Sequence, residues 1–214
     1  MIEYKSMSLA NQIYDELERR ILTGVYAPGE TISEKRLVEE LNVSRTPIRE
    51  ALTRLNQERL IKDAPGGNMV VGVSRKDAYD MFLVKSQLEN LAVRRAAENI
   101  SLEEMEKLEM IYDKQEFYAQ KRDYKTVLEL DNEFHEVLYR ASRSITLETI
   151  LEGVHRKLFK FRMNSIEHEN RIDASVAEHK AILEAIKERD PNAAEAALLT
   201  HVNNACEYFV GGEK

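Results

Sequence analysis

Apolar residues recur at helical spacing in three short segments near the start of the chain. The first segment covers residues 9–24. Ser33 precedes the second segment and Asn42 can end it in a left-handed conformation, while the third begins at Ser44 or Thr46. The inward positions are Leu9, Ile13, Leu17 and Ile21, then Leu37, Val38 and Leu41, then Ile48, Ala51, Leu52 and Leu55. Two short helices joined by a tight turn are typical of a helix-turn-helix.

Two short β-strands are predicted after the third helix, at residues 60–63 and 68–73. The turn sequence Ala-Pro-Gly-Gly at residues 64–67 lies between them and indicates a hairpin. Its glycines would let the backbone approach a DNA groove closely. Residues 1–74 are therefore predicted to form a winged helix-turn-helix domain.

Strand patterns are absent from the rest of the sequence, and residues 75–214 are predicted to form an antiparallel all-helical bundle. The helix boundaries come from a capping-box pattern at residues 101–104 and from Asp190 followed by Pro191. Six helices are expected, near residues 75–98, 102–121, 124–142, 145–163, 172–189 and 191–210. The fold class is therefore mainly α.

Composition is consistent with a folded protein of the cytoplasm. Hydrophobic residues make up 43% of the 214 residues, which supports a real core. The one cysteine, Cys206, excludes an intramolecular disulfide, and neither a signal peptide nor a membrane-spanning run is evident. We therefore expect a cytoplasmic protein without a membrane partner.

The net charge of −7 does not exclude a nucleic-acid partner, because the charge is unevenly distributed. Residues 1–74 carry 10 basic and 11 acidic side chains, and residues 75–214 carry 21 and 27. On the third helix an exposed flank is expected to hold Arg45, Arg49, Thr53 and Asn56, beginning at the helix end that enters the major groove. In the major groove an arginine side chain can bind O6 and N7 of guanine with two hydrogen bonds. Alternatively, the two arginines could simply form a solvated charged face of a small helical domain. The glycine-rich hairpin that follows the three helices favours DNA binding over this alternative.

Four ionisable residues lie on apolar faces of predicted bundle helices. Asp131 and His135 are one turn apart on one helix, and His179 and His201 lie on two others. Buried ionisable groups need partners, and a divalent cation could satisfy all four. Each histidine could instead bond to a neighbour, and an Asp–His pair at this spacing is often a surface ion pair. His155 and His168 lie off these faces and are interpreted as ordinary side chains.

The run LERRILTGVYAPGETISEKRLVEELNVSRTPIREALTRLNQERLI strongly resembles the winged-helix domain of the GntR family of bacterial transcription regulators. The resemblance covers residues 8–74. It implies DNA contacts by a basic residue of the second helix, two arginines of the recognition helix and the wing tip, and a phosphate contact beside them. The matching residues are Arg36, Arg45, Arg49 and Gly66, with Thr46 at the phosphate-contacting position.

The segments DNEFHEVLYRAS and AEHKAILEAIKERDPNAAEAALLTHV resemble the FCD ligand-binding domain of the FadR subgroup, in a short six-helix form similar to its VanR-like branch. Metal-binding members use Asp, His, His and His in this order. The resemblance therefore implies a divalent metal at Asp131, His135, His179 and His201. Zn²⁺ is the first expectation, and Ni²⁺, Mn²⁺ or Fe²⁺ would accept the same ligands.

One position departs from the resembled family. Members often carry an arginine on the first helix of this domain, where it can meet an organic acid, and here Lys85 takes that place. A lysine can pair with a carboxylate but lacks the forked geometry of a guanidinium. Lys85 remains the candidate effector-binding residue.

These features together predict a ligand-responsive transcription regulator, by default a repressor, and not an enzyme. We expect a homodimer on palindromic double-stranded operator DNA, with a small-molecule effector that is a carboxylate. Two alternatives stay open. One is a metal-dependent hydrolase-like domain fused to a DNA-binding module, although the sequence lacks a HExxH, GxSxG or Walker motif. The other is a regulator whose metal is purely structural.

Overall fold

The computed structural model describes residues 8–166 and 171–211. The chain divides into two compact units, one ending at Arg75 and the other beginning at Lys76. The first unit combines helices with a small sheet, and the described part of the second is entirely helical. The predicted mainly α fold, a winged helix-turn-helix followed by a helical domain, is confirmed.

The first unit contains three helices and three strands. They are α1 (Leu9–Leu22), β1 (Thr31–Ile32), α2 (Glu34–Leu41), α3 (Arg45–Gln57), β2 (Ile61–Ala64) and β3 (Gly67–Val70). The strands form an antiparallel sheet in the order β1-β3-β2. The sequence analysis did not predict β1, because two residues are too few for an alternating pattern.

Local signals in the sequence fix the ends of these helices. The backbone N–H of Arg36 donates to Oγ of Ser33 at 3.2 Å, which caps α2, and Asn42 ends α2 with φ of 51°. The α3 helix begins after Ser44. The core of this unit is built by Ile13, Tyr14, Leu17, Ile21, Leu22, Tyr26, Ile32, Leu37, Ile48, Ala51, Leu52, Leu55, Leu60, Ile61 and Val70. Burial of this face leaves the opposite flank of α3 in solvent.

The second unit has seven helices among its described residues. They are α4 (Arg75–Asn99), α5 (Leu102–Gln120), α6 (Tyr124–Ala141), α7 (Ile145–Lys157), α8 (Phe159–Ile166), α9 (Arg171–Lys187) and α10 (Pro191–Gly211). The prediction of one continuous helix over residues 145–163 was wrong. The helix breaks at Leu158, whose ψ of −1° departs from the helical value. No proline or glycine lies at the break, so periodicity and helix-breaking residues could not have predicted it.

The bundle core is centred on α5, α6, α9 and α10. Ser101 and Glu104 form the predicted capping box at the start of α5, and Asp190 caps α10 through the N–H groups of Asn192 and Ala193. The side chains of Leu108, Ile111, Phe134, Leu138, Ile182, Leu183, Ile186 and Leu198 lie in one buried cluster. Within the described chain, every helix is too short or too polar to span a lipid bilayer.

Candidate metal centre and nucleic-acid interface

The recognition helix α3 exposes the residues that the sequence analysis assigned to DNA. Arg45 is its first residue, Thr46 follows, and Arg49 lies one turn further on. All three are exposed, while Ile48 and Leu52 on the opposite side are buried. The N-terminal end of α3 therefore presents backbone N–H groups, a hydroxyl and two guanidinium groups to solvent.

Two of the candidate arginines are held by carboxylates in this structure. The Nε atom of Arg49 donates to Glu34 Oε2 at 2.9 Å, and Glu34 is the first residue of α2. Arg36 donates to Glu30 and to Glu40, each at 2.6 Å. These pairs are exposed, so they add little to stability, but they orient the guanidinium groups before any partner arrives.

The wing lies beside α3 and is tied to it. Asn56 donates from Nδ2 to Oδ1 of Asp63 at 3.0 Å, joining the helix to β2. Gly66 is exposed at the turn between β2 and β3 with φ of +88°, as a wing tip requires. A groove between α3 and the wing is lined by Glu34, Arg49, Thr53, Asn56, Asp63 and Asn68.

In the second unit the four predicted metal ligands converge. Asp131 and His135 come from α6, His179 from α9 and His201 from α10, and all four are buried. One ligand atom from each lies within 4.8 Å of the others. Nε2 of His179 is 3.4 Å from Oδ1 of Asp131. Helical phase on three separate helices thus brings one carboxylate and three imidazoles to one point.

Each of the three imidazoles has an acceptor oxygen close to Nδ1, and those of His179 and His201 are hydrogen-bonded to it. The Nδ1 atom lies 2.9 Å from Glu89 Oε1 in His135, 2.8 Å from Gln115 Oε1 in His179, and 2.8 Å from Glu178 Oε2 in His201. Outer partners of this kind orient histidines that bind metals through the other nitrogen.

Burial favours the neutral imidazole that metal binding needs. It lowers the pKa of His179 and of His201 well below the ordinary value, and neighbouring histidines add to the effect. Burial also lowers the pKa of His135, although Glu89 opposes this. Neutral imidazoles have a free lone pair, so the donor set suits a divalent ion.

Arg162 of α8 supplies an ionic partner for Asp131. Its guanidinium donates to Oδ2 of Asp131 and, at 2.7 Å, to Oδ1 of Asn132. Burial lowers the pKa of Arg162 to about 9. The Asp131 carboxylate is therefore shared, with one oxygen toward Arg162 and the other toward His179.

A small cavity adjoins the ligands. It has a volume of about 40 Å³, room for roughly three water molecules. Lys85 lines it with Arg162 and Arg171, and burial lowers the pKa of Lys85. The Lys85 ammonium is 2.6 Å from Oε2 of Glu89. The structure therefore places the predicted effector residue at the centre, but already paired with a carboxylate.

The possible ligand atoms of a second group, Glu89, His135 and His155, also lie within 4.8 Å of one another. Its chemistry is less suitable, because Lys85 and the hydroxyl of Tyr139 both donate to the Glu89 carboxylate. Burial raises the pKa of Glu89, yet Lys85 and His135 outweigh that effect and hold it well below its ordinary value. This group is better described as an ionic support for His135.

Comparison with known proteins gives the family. Residues 9–71 match the family described as bacterial regulatory proteins, gntR family, and residues 80–204 match the FCD domain. The chain belongs to the GntR family. The HTH-type transcriptional regulator YdhC of Bacillus subtilis is 31% identical to it over 200 residues, which cover 92% of this chain and 89% of YdhC. This GntR protein is accordingly a transcription regulator and not an enzyme.

Two further relatives agree with this assignment. The HTH-type transcriptional repressor RspR of Escherichia coli is 28% identical over 197 residues, covering 92% of this GntR chain and 86% of RspR. The solved structure of E. coli McbR/YncC has a TM-score of 0.83 and 22% identity, and the match covers 98% of this chain and 100% of McbR. The structural likeness shows a shared fold.

Several residues of this GntR regulator's centre were missed by the sequence analysis. His155 was set aside as ordinary, yet it is buried and its Nε2 lies 3.8 Å from Oδ2 of Asp131. His168 lies outside the described residues. Glu89 could have been found, because it follows Lys85 by one helical turn. Arg162 could not, because its position depends on the unpredicted break at Leu158.

Proposed function

We propose that this GntR regulator is a ligand-responsive repressor that binds palindromic operator DNA as a homodimer. A divalent metal, Zn²⁺ by first expectation, would be held by Asp131, His135, His179 and His201 and would help to bind a small organic acid. The metal proposal rests on the surroundings of the Nε2 atom of His179. This atom is fully buried, makes no hydrogen bond within the described residues, and faces Oδ1 of Asp131.

The arrangement of the first unit supports DNA reading by α3. Arg45 and Arg49 would contact base edges in the major groove, and Thr46 with the first N–H groups of the helix would contact phosphate. Arg36 on α2 and Gly66 at the wing tip would contact the flanking backbone. Glu34 pairs with Arg49 and would hold its side chain at the exposed face of α3 until DNA binds. The repressor assignment rests on RspR, which is named as one.

Formal charge around the centre supports an anionic effector. Three basic side chains pair there with three carboxylates: Lys85 with Glu89, Arg162 with Asp131, and Arg171 with Glu178. Among the described residues these formal charges cancel, and burial favours the neutral form of the histidines. A divalent ion would therefore add two uncompensated positive charges to a buried site. A carboxylate would offset them, and Lys85 or Arg162 could pair with it after exchanging its present partner.

The size of the cavity limits the effector. About 40 Å³ accommodates a carboxylate group with a few further atoms, unless α8 shifts. We therefore propose a small acid rather than a long-chain one. The alternative of a purely structural metal has the same ligands but no need for an adjoining cavity.

Exposed apolar side chains on α4 support a dimer. Tyr79, Leu83, Val84 and Leu91 are between 41% and 51% exposed. At about 100° per residue they occupy roughly 140° of the helix circumference. A second copy packed on this face would bury them and give the two-fold symmetry that a palindromic operator requires.

The test compares two variants on a DNA fragment from the regulator's own upstream region. Arg49→Ala should weaken operator binding by about 5- to 150-fold, as expected for a lost contact to a base. It should leave Zn²⁺ and succinate binding unchanged by calorimetry. His201→Ala should do the reverse: it binds the operator, but Zn²⁺ affinity falls and succinate no longer releases the DNA.

Arg19→Ala is the matched control for Arg49→Ala, because Arg19 is an exposed arginine of α1 that pairs with Glu16. It should bind DNA like the parent protein. Equal DNA binding by Arg49→Ala and the parent would refute the recognition-helix assignment. Succinate and related small acids acting fully on metal-free protein would refute the role of the metal in effector binding.

A further inference from the structure

The ring of His179 is fixed by two contacts from neighbouring helices. Its Nδ1 lies 2.8 Å from Oε1 of Gln115 on α5, and its face stacks on Phe134 with ring centroids 4.5 Å apart and planes 10° apart. Both His179 and Gln115 are at most 1% exposed. The ring therefore has little freedom, and the remaining variable is which of its two nitrogens carries the proton.

The side chain of Gln115 determines which nitrogen of His179 carries the proton. An amide oxygen only accepts, so a neutral His179 must carry its proton on Nδ1 and leave the lone pair of Nε2 directed at the metal centre. If the amide NH₂ group faced Nδ1 instead, the proton would move to Nε2 and block coordination. The bond between Gln115 Oε1 and His179 is therefore compatible with metal binding, and the reversed amide is not.

The amide nitrogen of Gln115 indicates that the residue does more than fill space between the helices. Its amide nitrogen is buried and makes no hydrogen bond to any described residue. An unsatisfied buried donor is unfavourable, and a leucine of similar size would avoid it. A residue that only filled space between α5 and α9 would have no reason to carry the amide.

We propose that Gln115 is a positioning residue that selects the metal-binding tautomer of His179. This inference rests on the metal site proposed above. The other two histidines face carboxylates, which can only accept: Nδ1 of His135 lies 2.9 Å from Glu89, and Nδ1 of His201 is hydrogen-bonded to Glu178. Those carboxylates are each neutralised by a cation, Lys85 and Arg171. Gln115 achieves the same orientation without adding charge.

The test uses the full-length chain with Gln115→Leu, which removes the acceptor, and Gln115→Glu, which keeps an acceptor and removes the donor. Ile111→Val is the matched control, a buried change one turn earlier on the same helix. Circular dichroism first establishes that all variants fold. Long-range ¹H–¹⁵N spectra of the metal-free proteins then report the His179 tautomer, and Co²⁺ titration followed by visible absorption reports metal affinity.

We expect the Nδ1–H tautomer of His179 in the parent protein, in Gln115→Glu and in Ile111→Val, and its loss in Gln115→Leu. Co²⁺ affinity should fall about 10- to 100-fold in Gln115→Leu and stay within about threefold of the parent, or rise, in Gln115→Glu. A Gln115→Leu protein with parental tautomer and Co²⁺ affinity would overturn the positioning role alone. A parent protein that binds no Co²⁺ or Zn²⁺ would instead overturn the metal site itself.

Discussion

Replacing Gly67 by alanine should loosen the wing while leaving its tip chemically unchanged. Gly67 is the first residue of β3, directly after the turn, and its φ is +151°. An added Cβ would lie 2.4 Å from the carbonyl oxygen of Ile32 and 3.0 Å from Cα of Ser33. Both neighbours are backbone atoms, so rotating a side chain cannot relieve the clash.

The expected cost has two parts. A non-glycine residue at this φ is strained by about 1–3 kcal/mol. Moving β1 away would also disturb its pairing with β3, in which Thr31 opposes Met69 and Ile32 opposes Asn68. Losing one backbone hydrogen bond there costs about 1 kcal/mol. The sum is roughly 3 kcal/mol, which raises the opening equilibrium of the wing by about 150-fold.

Hydrogen–deuterium exchange of a peptide covering residues 60–72 measures that equilibrium. Gly66→Ala is the matched control, because Gly66 has φ of +88° but no atom lies within 4 Å of its added Cβ. We expect it to cost only about 1 kcal/mol, roughly a fivefold effect. Equal exchange rates in the two alanine variants would refute this reasoning, because the close approach of Gly67 to the backbone of β1 would then not be the reason for glycine at position 67.

Two further outcomes follow from the second unit. Arg143 and the cap at Ser101 hold the pKa of Glu104 at about 2, against 4.5 ordinarily, so its contribution is complete above pH 4.5 and is lost as the pH falls through 2. Glu104→Gln should therefore destabilise the protein by about 1 kcal/mol at pH 7 in urea titrations. The difference from the parent should shrink as the pH falls toward 2 and disappear below it, and a constant difference across that range would refute the assignment. Leu83→Glu places a charge on the exposed face of α4 and should yield monomers in analytical ultracentrifugation. Met110→Glu on α5 is the control, because Met110 is similarly exposed, and this variant should remain a dimer. If both variants were dimers, another face would make the interface.

Helix phase explains how much of the centre could be predicted from sequence. Asp131 and His135 are four residues apart on α6, so one apolar stripe places both inward. The same reasoning places His179 and His201, because the helices that carry them are long and regular. Periodicity was sufficient for these four residues, and the structure brings their ligand atoms together.

The missed residues depend on features that periodicity does not encode. Arg162 reaches Asp131 from α8, the separate helix that follows the break at Leu158, and local helix propensity does not encode that break. Gln115 looks like an ordinary polar residue on α5, and only the approach of α9 gives its amide oxygen a partner. The strand β1 exists because β3 offers it an edge, which is a contact between residues far apart in sequence.

The short helix α8 differs from its neighbours in how it is attached. No fully buried apolar side chain lies on its described part, and its guanidinium at Arg162 binds Asp131 and Asn132 on α6. Most of the bundle is held by fully buried apolar packing, whereas α8 combines half-buried apolar contacts, Met163 among them, with the ionic contact of Arg162. A competing anion would therefore displace Asp131 from Arg162 while the apolar contacts of α8 with the bundle remain.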